Sequence, residues 1–276
     1  MDSQTQLTAL GVVQRIQGAL PAETHPGTVD VFLEGDPDLA VKGVAVTMMA
    51  TLEVLEMAVA GGANMVITHE PLYFNHHNAF VPQLAGGDDP VYLAKRAFLL
   101  ERRVTVWHCH DRLHQIRPDM IHLGVLTALG WPSDGIGLGL GPSVVDIPEA
   151  SLGDVLRHVA DKLGSTSLRY VGDPHQRVRR VAVACGYGGL EPFRPVLSSD
   201  EIDLAMVGEA WEWEFGEYAY DAAWIGRESG RPKAFAVLGH VPSEQQGMAF
   251  FARRLQEIVP EVDVSFVPAA DIYRSL

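Results

Sequence analysis

"VKGVAVTMMATLEVLEMAVAGGANMVITHEPL" (residues 41–72) is the stretch that decides the fold. Its first nine residues, 41–49, are an apolar run that predicts a buried strand. Residues 50–60 carry leucine, valine and alanine at helical spacing and stop at Gly61 and Gly62, as helices commonly do. Residues 63–69 predict a second buried strand, which ends at His69. A strand, a helix and a strand in such close succession make a parallel β-α-β unit.

The same alternation extends outward. A helix is predicted at 5–19, another at 90–101 with Pro90 at its start, a strand at 103–108 and a helix at 117–130 that stops at Gly130. "WPSDGIGLGLGP" (131–142) breaks the pattern and reads as a linker or hairpin connection. A second, similar series follows: strand 143–148, helix 151–163, strands 167–171, 178–184 and 203–208, and helix 213–227. Strand 232–240, helix 243–258 and strand 262–268 complete it. The expected class is α/β, with mainly parallel mixed sheets flanked by helices.

With 276 residues, 47% of them hydrophobic, the chain has material for one large domain or two smaller ones. A formal charge of −14 argues against a nucleic-acid surface. The basic clusters at Arg102–Arg103 and Arg177–Arg180 read as solvated strand edges. Cys109 and Cys185 form no C-x-x-C pair, and Cys109, although flanked by histidines, reads as a small buried thiol. Neither a signal peptide nor an apolar run of membrane-spanning length is visible, so the expectation is a soluble, cytoplasmic protein with no membrane partner.

Three predicted strands end in histidine: His69, the pair His108 and His110, and His240. Ligands of an open α/β sheet gather at the carboxyl ends of its strands, so strands sharing one sheet would bring these side chains together. Each has an acid close by, in Glu70, Asp111 and Glu244. A lone strand-end histidine is more often structural, but three with adjacent acids favour a divalent transition metal such as Zn, Mn or Fe(II). A bridging carboxylate can hold two such ions about 3.5–4 Å apart.

Other motifs read more plainly. "CGYGGLEP" (185–192) follows a strand but lacks the Lys-Ser/Thr of a phosphate loop, and Glu191 stands where a dinucleotide fingerprint needs its third glycine. Both it and "GIGLGLG" (135–141) read as turns, which disfavours an NAD-type binder. In "MVGEAWEWEFGEYAYDA" (206–222), Glu209 is the acid placed to face a site. Glu212 and Glu217 read as solvated, and Trp211 and Trp213 as packing groups. Ser243 reads as the N-cap of helix 243–258. Tyr73 and Phe74 are expected to pack their loop, with His76 and His77 on a rim or in solvent.

The 41–72 stretch, the later "HDRLH" (110–114) and "AVLGHVPSEQQGM" (236–248) together resemble the dinuclear-metal family named after NGG1-interacting factor three, whose bacterial members are often labelled GTP cyclohydrolase I type 2 homologues. The resemblance implies two related α/β lobes, a metal-site lobe of residues 1–130 plus 232–276 and an inserted lobe of 131–231. It implies a site of one to two metal ions at the strand ends, in a homo-oligomeric, commonly hexameric ring. Carried over by position, the ligands are His69, Asp111, His240 and Glu244, with Asp111 and Glu244 bridging. The family's usual second histidine is Glu70 here, in "HEP", so His110 or His114 would supply the missing nitrogen. The resulting expectation is a hydrolase of a small, phosphorylated or nucleotide-like substrate, with Glu70 or Glu209 as general base. The rival class is a non-catalytic, ring-forming metal-binding adaptor.

Overall fold

The computed structural model describes residues 6–23, 26–134, 136 and 141–275. In chain order the first elements are α1 (Ala9–Ala19), β1 (Phe32–Glu34), β2 (Gly43–Thr47), α2 (Leu52–Ala60) and β3 (Met65–Thr68). Next come α3 (Val81–Gly86), α4 (Pro90–Arg102), β4 (Thr105–His108), α5 (Asp111–Gln115) and α6 (Met120–Leu129). The chain continues through β5 (Ser143–Ser151), α7 (Leu152–Leu163), β6 (Arg169–Val171), β7 (Arg177–Val183), α8 (Leu190–Ser198) and β8 (Leu204–Val207). A π-helical turn, Glu212–Gly216, leads into α9 (Glu217–Glu228), and β9 (Ala234–Val237), α10 (His240–Ile258) and β10 (Asp263–Phe266) follow. Most of the glycine run 135–141 lies outside the described residues.

The chain divides into two compact units, Met1–Arg117 with Met248–Ala269, and Pro118–Gly247 with Ala270–Leu276. In the first, five strands run in the order β1-β4-β3-β2-β10. β10, β2, β3 and β4 are parallel, and β1 joins β4 antiparallel at the edge. Every residue of β2, β3 and β4 is buried, which is why these segments read as unbroken apolar runs rather than alternating ones. Thr51 starts α2 by accepting the Val54 N–H.

The second unit has its own five-stranded sheet, ordered β5-β7-β8-β9-β6. β7, β8 and β9 are parallel, with β5 and β6 antiparallel at the two edges. Its core includes Phe193, Phe215, Phe235 and Val207. Two mixed, mainly parallel sheets with helices are the expected fold class.

The limits of the two units differ from those expected at 130 and 231. β9, which leads to His240, registers Ala234 against Leu204 and Val237 against Val207, and β6 closes its other edge. It therefore belongs to the second sheet and does not share one with β3 and β4. The division at 247/248 falls inside α10. Among the described residues no helix is long and apolar enough to cross a membrane.

Candidate metal centre

In the first unit, β3 and β4 lie side by side with Thr68 opposite His108. The residues just beyond both strand ends therefore come together. His69 N–H donates to Thr47 O at 3.1 Å and Glu70 N–H to Met48 O at 2.9 Å, so both continue the ladder with β2. His69 Nδ1 lies 3.2 Å from Cys109 O. A carbonyl only accepts, so Nδ1 carries the proton and the lone pair is on Nε2, the nitrogen that would coordinate. His108 Nε2 in turn donates to His69 O at 2.9 Å. Burial holds His108 far below the ordinary range, at about 3, so it is a neutral clamp on the His69 backbone.

α5 carries the next donors. His110 and His114 stand one turn apart, with ring centroids 4.9 Å from each other. His69 is 4.6 Å from His110 and 5.1 Å from His114. One ligand atom from each of His69, His110 and His114 lies within 4.8 Å of the others. Nitrogens at 2.0–2.1 Å from a tetrahedral zinc lie roughly 3.4 Å apart, within small side-chain rotations of this spacing. The donor set fits a divalent transition metal. A second group with the same spacing combines Glu70, His76 and His110.

Asp111 sits beside this cluster. Its Oδ1 is 3.1 Å from His110 Nδ1 and its Oδ2 accepts the Val29 N–H at 3.1 Å. The His110 contact, outweighing burial and helped by Val29 and Thr28, holds the carboxyl well below the usual carboxylate range. Asp111 is thus ionised across the working pH range. The start of α5 is fixed from a distance by Asp30, whose Oδ1 accepts the His110 and Asp111 N–H groups at 2.8 and 2.9 Å. Its Oδ2 accepts that of Arg112 at 3.0 Å. Nothing in the local sequence marks Asp30 for this task.

The loop after β3 reaches the cluster as well. His76 stands at its rim, with a partly exposed side chain whose Nε2 is 3.4 Å from Glu70 Oε2 and whose ring lies 4.8 Å from that of His110. Phe74 and Asn78 adopt left-handed backbone (φ 66° and 53°) that turns His76 inward. Tyr73 is buried, as expected, and donates to Glu34 Oε2 at 3.0 Å. Phe74 is instead half exposed.

The second unit assembles its own group. His240 opens α10 and faces two acids: Glu244 one turn on, at 3.3 Å from Nε2, and Glu209 beyond β8, at 3.4 Å from Nδ1. Glu244 is buried and Glu209 half exposed. Gly186 explains the glycine turn after β7. It sits at φ 65°, and a Cβ there would lie 2.5 Å from Glu244 Oε1. Ser243 is inside α10 rather than capping it, since the helix already starts at His240. Its Oγ donates to His240 O and accepts the Gly186 N–H. Of the expected site residues, His69, Glu70, His110, Asp111 and His114 belong to the first unit, and Glu209, His240 and Glu244 to the second.

Two parallel-cored α/β units with histidine and carboxylate clusters at their strand ends define the class as a candidate metal-binding α/β protein. The family model described as Duf34/NIF3 (NGG1p interacting factor 3) matches residues 27–84 and 135–271, and the chain belongs to this family. A relative from Clostridium acetobutylicum named GTP cyclohydrolase 1 type 2 homolog is 25% identical over 169 residues, covering 57% of this chain. The match spans 59% of that relative's own length. One of the same name from Clostridium perfringens is 24% identical over 184 residues, covering 64% of this chain and 68% of the relative. Among solved structures, a Bacillus cereus protein related to NIF3 superposes with a TM-score of 0.73 at 15% identity, covering 98% of this chain and 99% of that one. A Staphylococcus aureus hypothetical protein does so at 0.72 and 16%, covering 98% and 100%. At such identities the likeness is one of fold.

Proposed function

We propose that the chain is a metal-dependent hydrolase of a small, phosphorylated or nucleotide-like substrate. The observation that carries this reading is the convergence of His69, His110 and His114 donor atoms within 4.8 Å, beside an Asp111 held ionised. His69, Asp111, His240 and Glu244 would hold the metal, with His110 or His114 supplying a further nitrogen. Zn, Mn or Fe suits this mixed nitrogen and oxygen set. The ion would supply Lewis acidity, lowering the pKa of water toward neutrality.

The remaining roles belong to the chain. His108 holds the His69 backbone, and Cys109 O fixes the His69 tautomer. Glu70, buried and 3.4 Å from His76 Nε2, is placed to take the proton of the attacking water at Oε2. Glu209, half exposed against His240, is the alternative acceptor. The name carried by the clostridial relatives makes GTP one substrate to try. The family resemblance adds a cytoplasmic, hexameric ring.

Elemental analysis of protein purified without chelator tests the metal, and about one to two ions per chain are expected. A chain that holds none, and takes up none on titration, refutes the proposal. Activity is then assayed on GTP, other nucleotides and phosphomonoesters with Mn or Zn, against Asp111→Asn. Equal rates in both proteins would leave a metal-binding adaptor as the better reading.

A further inference from the structure

We propose that Trp211, Trp213 and Tyr187 form a stacking subsite for a flat heteroaromatic ring bearing N–H donors, next to the His240 cluster. The inference rests on the reading of that cluster as part of a reactive site, and it names the ring class that the substrate carries.

The three aromatic side chains are not packing groups. Trp211 is 52% exposed, Trp213 70% and Tyr187 46%. The two indoles stack on each other with centroids 5.2 Å apart and planes 18° apart, and Tyr187 tilts against Trp211 at 5.5 Å. Side chains at i and i+2 share no helix face, and Trp213 lies in no strand. Here the stacked rings arise because Trp211 is extended and Trp213 lies in the π-helical turn Glu212–Gly216. Such turns are rare and frequent at functional sites. This one is pinned from beneath by Phe215, which is buried against Phe235 at 4.3 Å and Phe193 at 5.1 Å. The exposed rings are therefore held ready rather than left to swing.

The subsite is tied directly to the cluster. Tyr187 and Glu209 form a parallel bridge in which Gly188 N–H donates to Glu209 O at 2.8 Å and Glu209 N–H to Gly186 O at 3.0 Å. The residue before Tyr187 is thus the glycine against Glu244, and its bridge partner is the acid facing His240.

Charge selects the ligand. Glu209 is bridged to Tyr187 and Glu214 directly follows Trp213 in the π-helical turn, and after desolvation their charges push the Tyr187 phenol up. A π-face rimmed by carboxylates repels phosphate and accepts N–H groups, so the heterocyclic end of a substrate belongs here. The same acids disfavour a subunit contact, because interface cores are depleted of charged residues whereas Glu209, Glu212 and Glu214 interleave these aromatics.

The test titrates the full-length, metal-replete protein with adenosine and guanosine, followed by calorimetry and tryptophan fluorescence. Caffeine serves as a purine of similar size without N–H donors. The expected result is saturable nucleoside binding, weaker caffeine binding, and roughly a tenfold or greater loss in Trp213→Leu and in Trp211→Leu, as for removal of one base-stacking ring. Metal content should be unchanged in both variants, and Trp224→Leu should bind as wild type does. No saturable nucleoside binding by a protein that holds its metal overturns the subsite and leaves the metal reading standing. Nucleoside binding by a chain that takes up no metal overturns the metal reading instead. If nucleosides fail to bind and Trp213→Leu lowers the mass seen by light scattering, the face is a contact between copies and the subsite is refuted.

Discussion

Replacing Asp30 with alanine should weaken metal binding without touching any ligand. Asp30 accepts three consecutive N–H groups at 2.8–3.0 Å, those of His110, Asp111 and Arg112. α5 is only five residues long, so these bonds do most to fix where His110, just before it, and His114, within it, stand. Hydrogen bonds to a charged acceptor are each worth about 1.5–3 kcal/mol. Asp30 is only half-buried, so the lower end applies, and Asp30→Ala should cost about 4–5 kcal/mol of stability. Its effect on metal should match that of removing an outer-shell partner, roughly 10–100-fold in affinity. Asp30→Asn keeps Oδ1 for His110 and Asp111 but turns an amide toward the Arg112 N–H, so it should lose about half as much. Urea unfolding of the apo-protein and competition with a chromophoric zinc chelator measure the two effects separately. Wild-type zinc affinity in Asp30→Ala would refute the idea that Asp30 positions the α5 donors.

Three further outcomes are expected. Burial lowers Lys95 to about 8 from 10.5, so between these pH values the unfolded chain binds more protons and stability rises with pH. Relative to Lys95→Met, which removes the titrating group, wild type should gain about 3 kcal/mol from pH ~7.5 to ~10.5 in denaturant titrations, and a flat difference would contradict this. His108→Phe removes the donor to His69 O, and should cost about 1–3 kcal/mol together with a measurable loss of zinc affinity in the same competition assay. Gly186→Ala places a Cβ 2.5 Å from Glu244 Oε1 at φ 65°, and should destabilise the protein by about 2 kcal/mol or more on urea unfolding.

The sheets were legible where burial is complete. β2, β3 and β4 are largely apolar because both faces of their strands are covered, and His69, directly after β3, and His108, the last residue of β4, mark the sheet's carboxyl edge. Sheet membership was not legible for β9. "AFAV" carries no signal for its neighbour, and its pairing with β8 is decided by tertiary packing. Asp30 lies some eighty residues before the N–H groups it accepts, and no periodicity links them. His76 depends on two left-handed residues in a loop, and only Asn78 is of a type that favours that conformation. Trp211 and Trp213 read as packing groups from the sequence because aromatic residues usually are. Their exposure follows from a π-helical turn, for which sequence spacing has no template.

The geometry of the first cluster argues for a cation more strongly than its histidine count does. Five imidazoles, of His69, His76, His108, His110 and His114, stand in successive ring contacts of 4.6–6.1 Å. Two of these rings, His76 and His108, are disfavoured as cations by burial and by the neighbouring imidazoles. A packing role would be met more cheaply by apolar rings, which need no hydrogen-bond partners. The chain instead keeps nitrogens and fixes their orientation, His69 through Cys109 O and His108 through His69 O. Asp111, ionised at the edge of the cluster and 3.1 Å from His110 Nδ1, adds negative charge beside the imidazole nitrogens. Convergent lone pairs beside a fixed negative charge match a dication, and the loss of zinc affinity on loosening any one of these supports is the consequence that separates this account from a buried structural cluster.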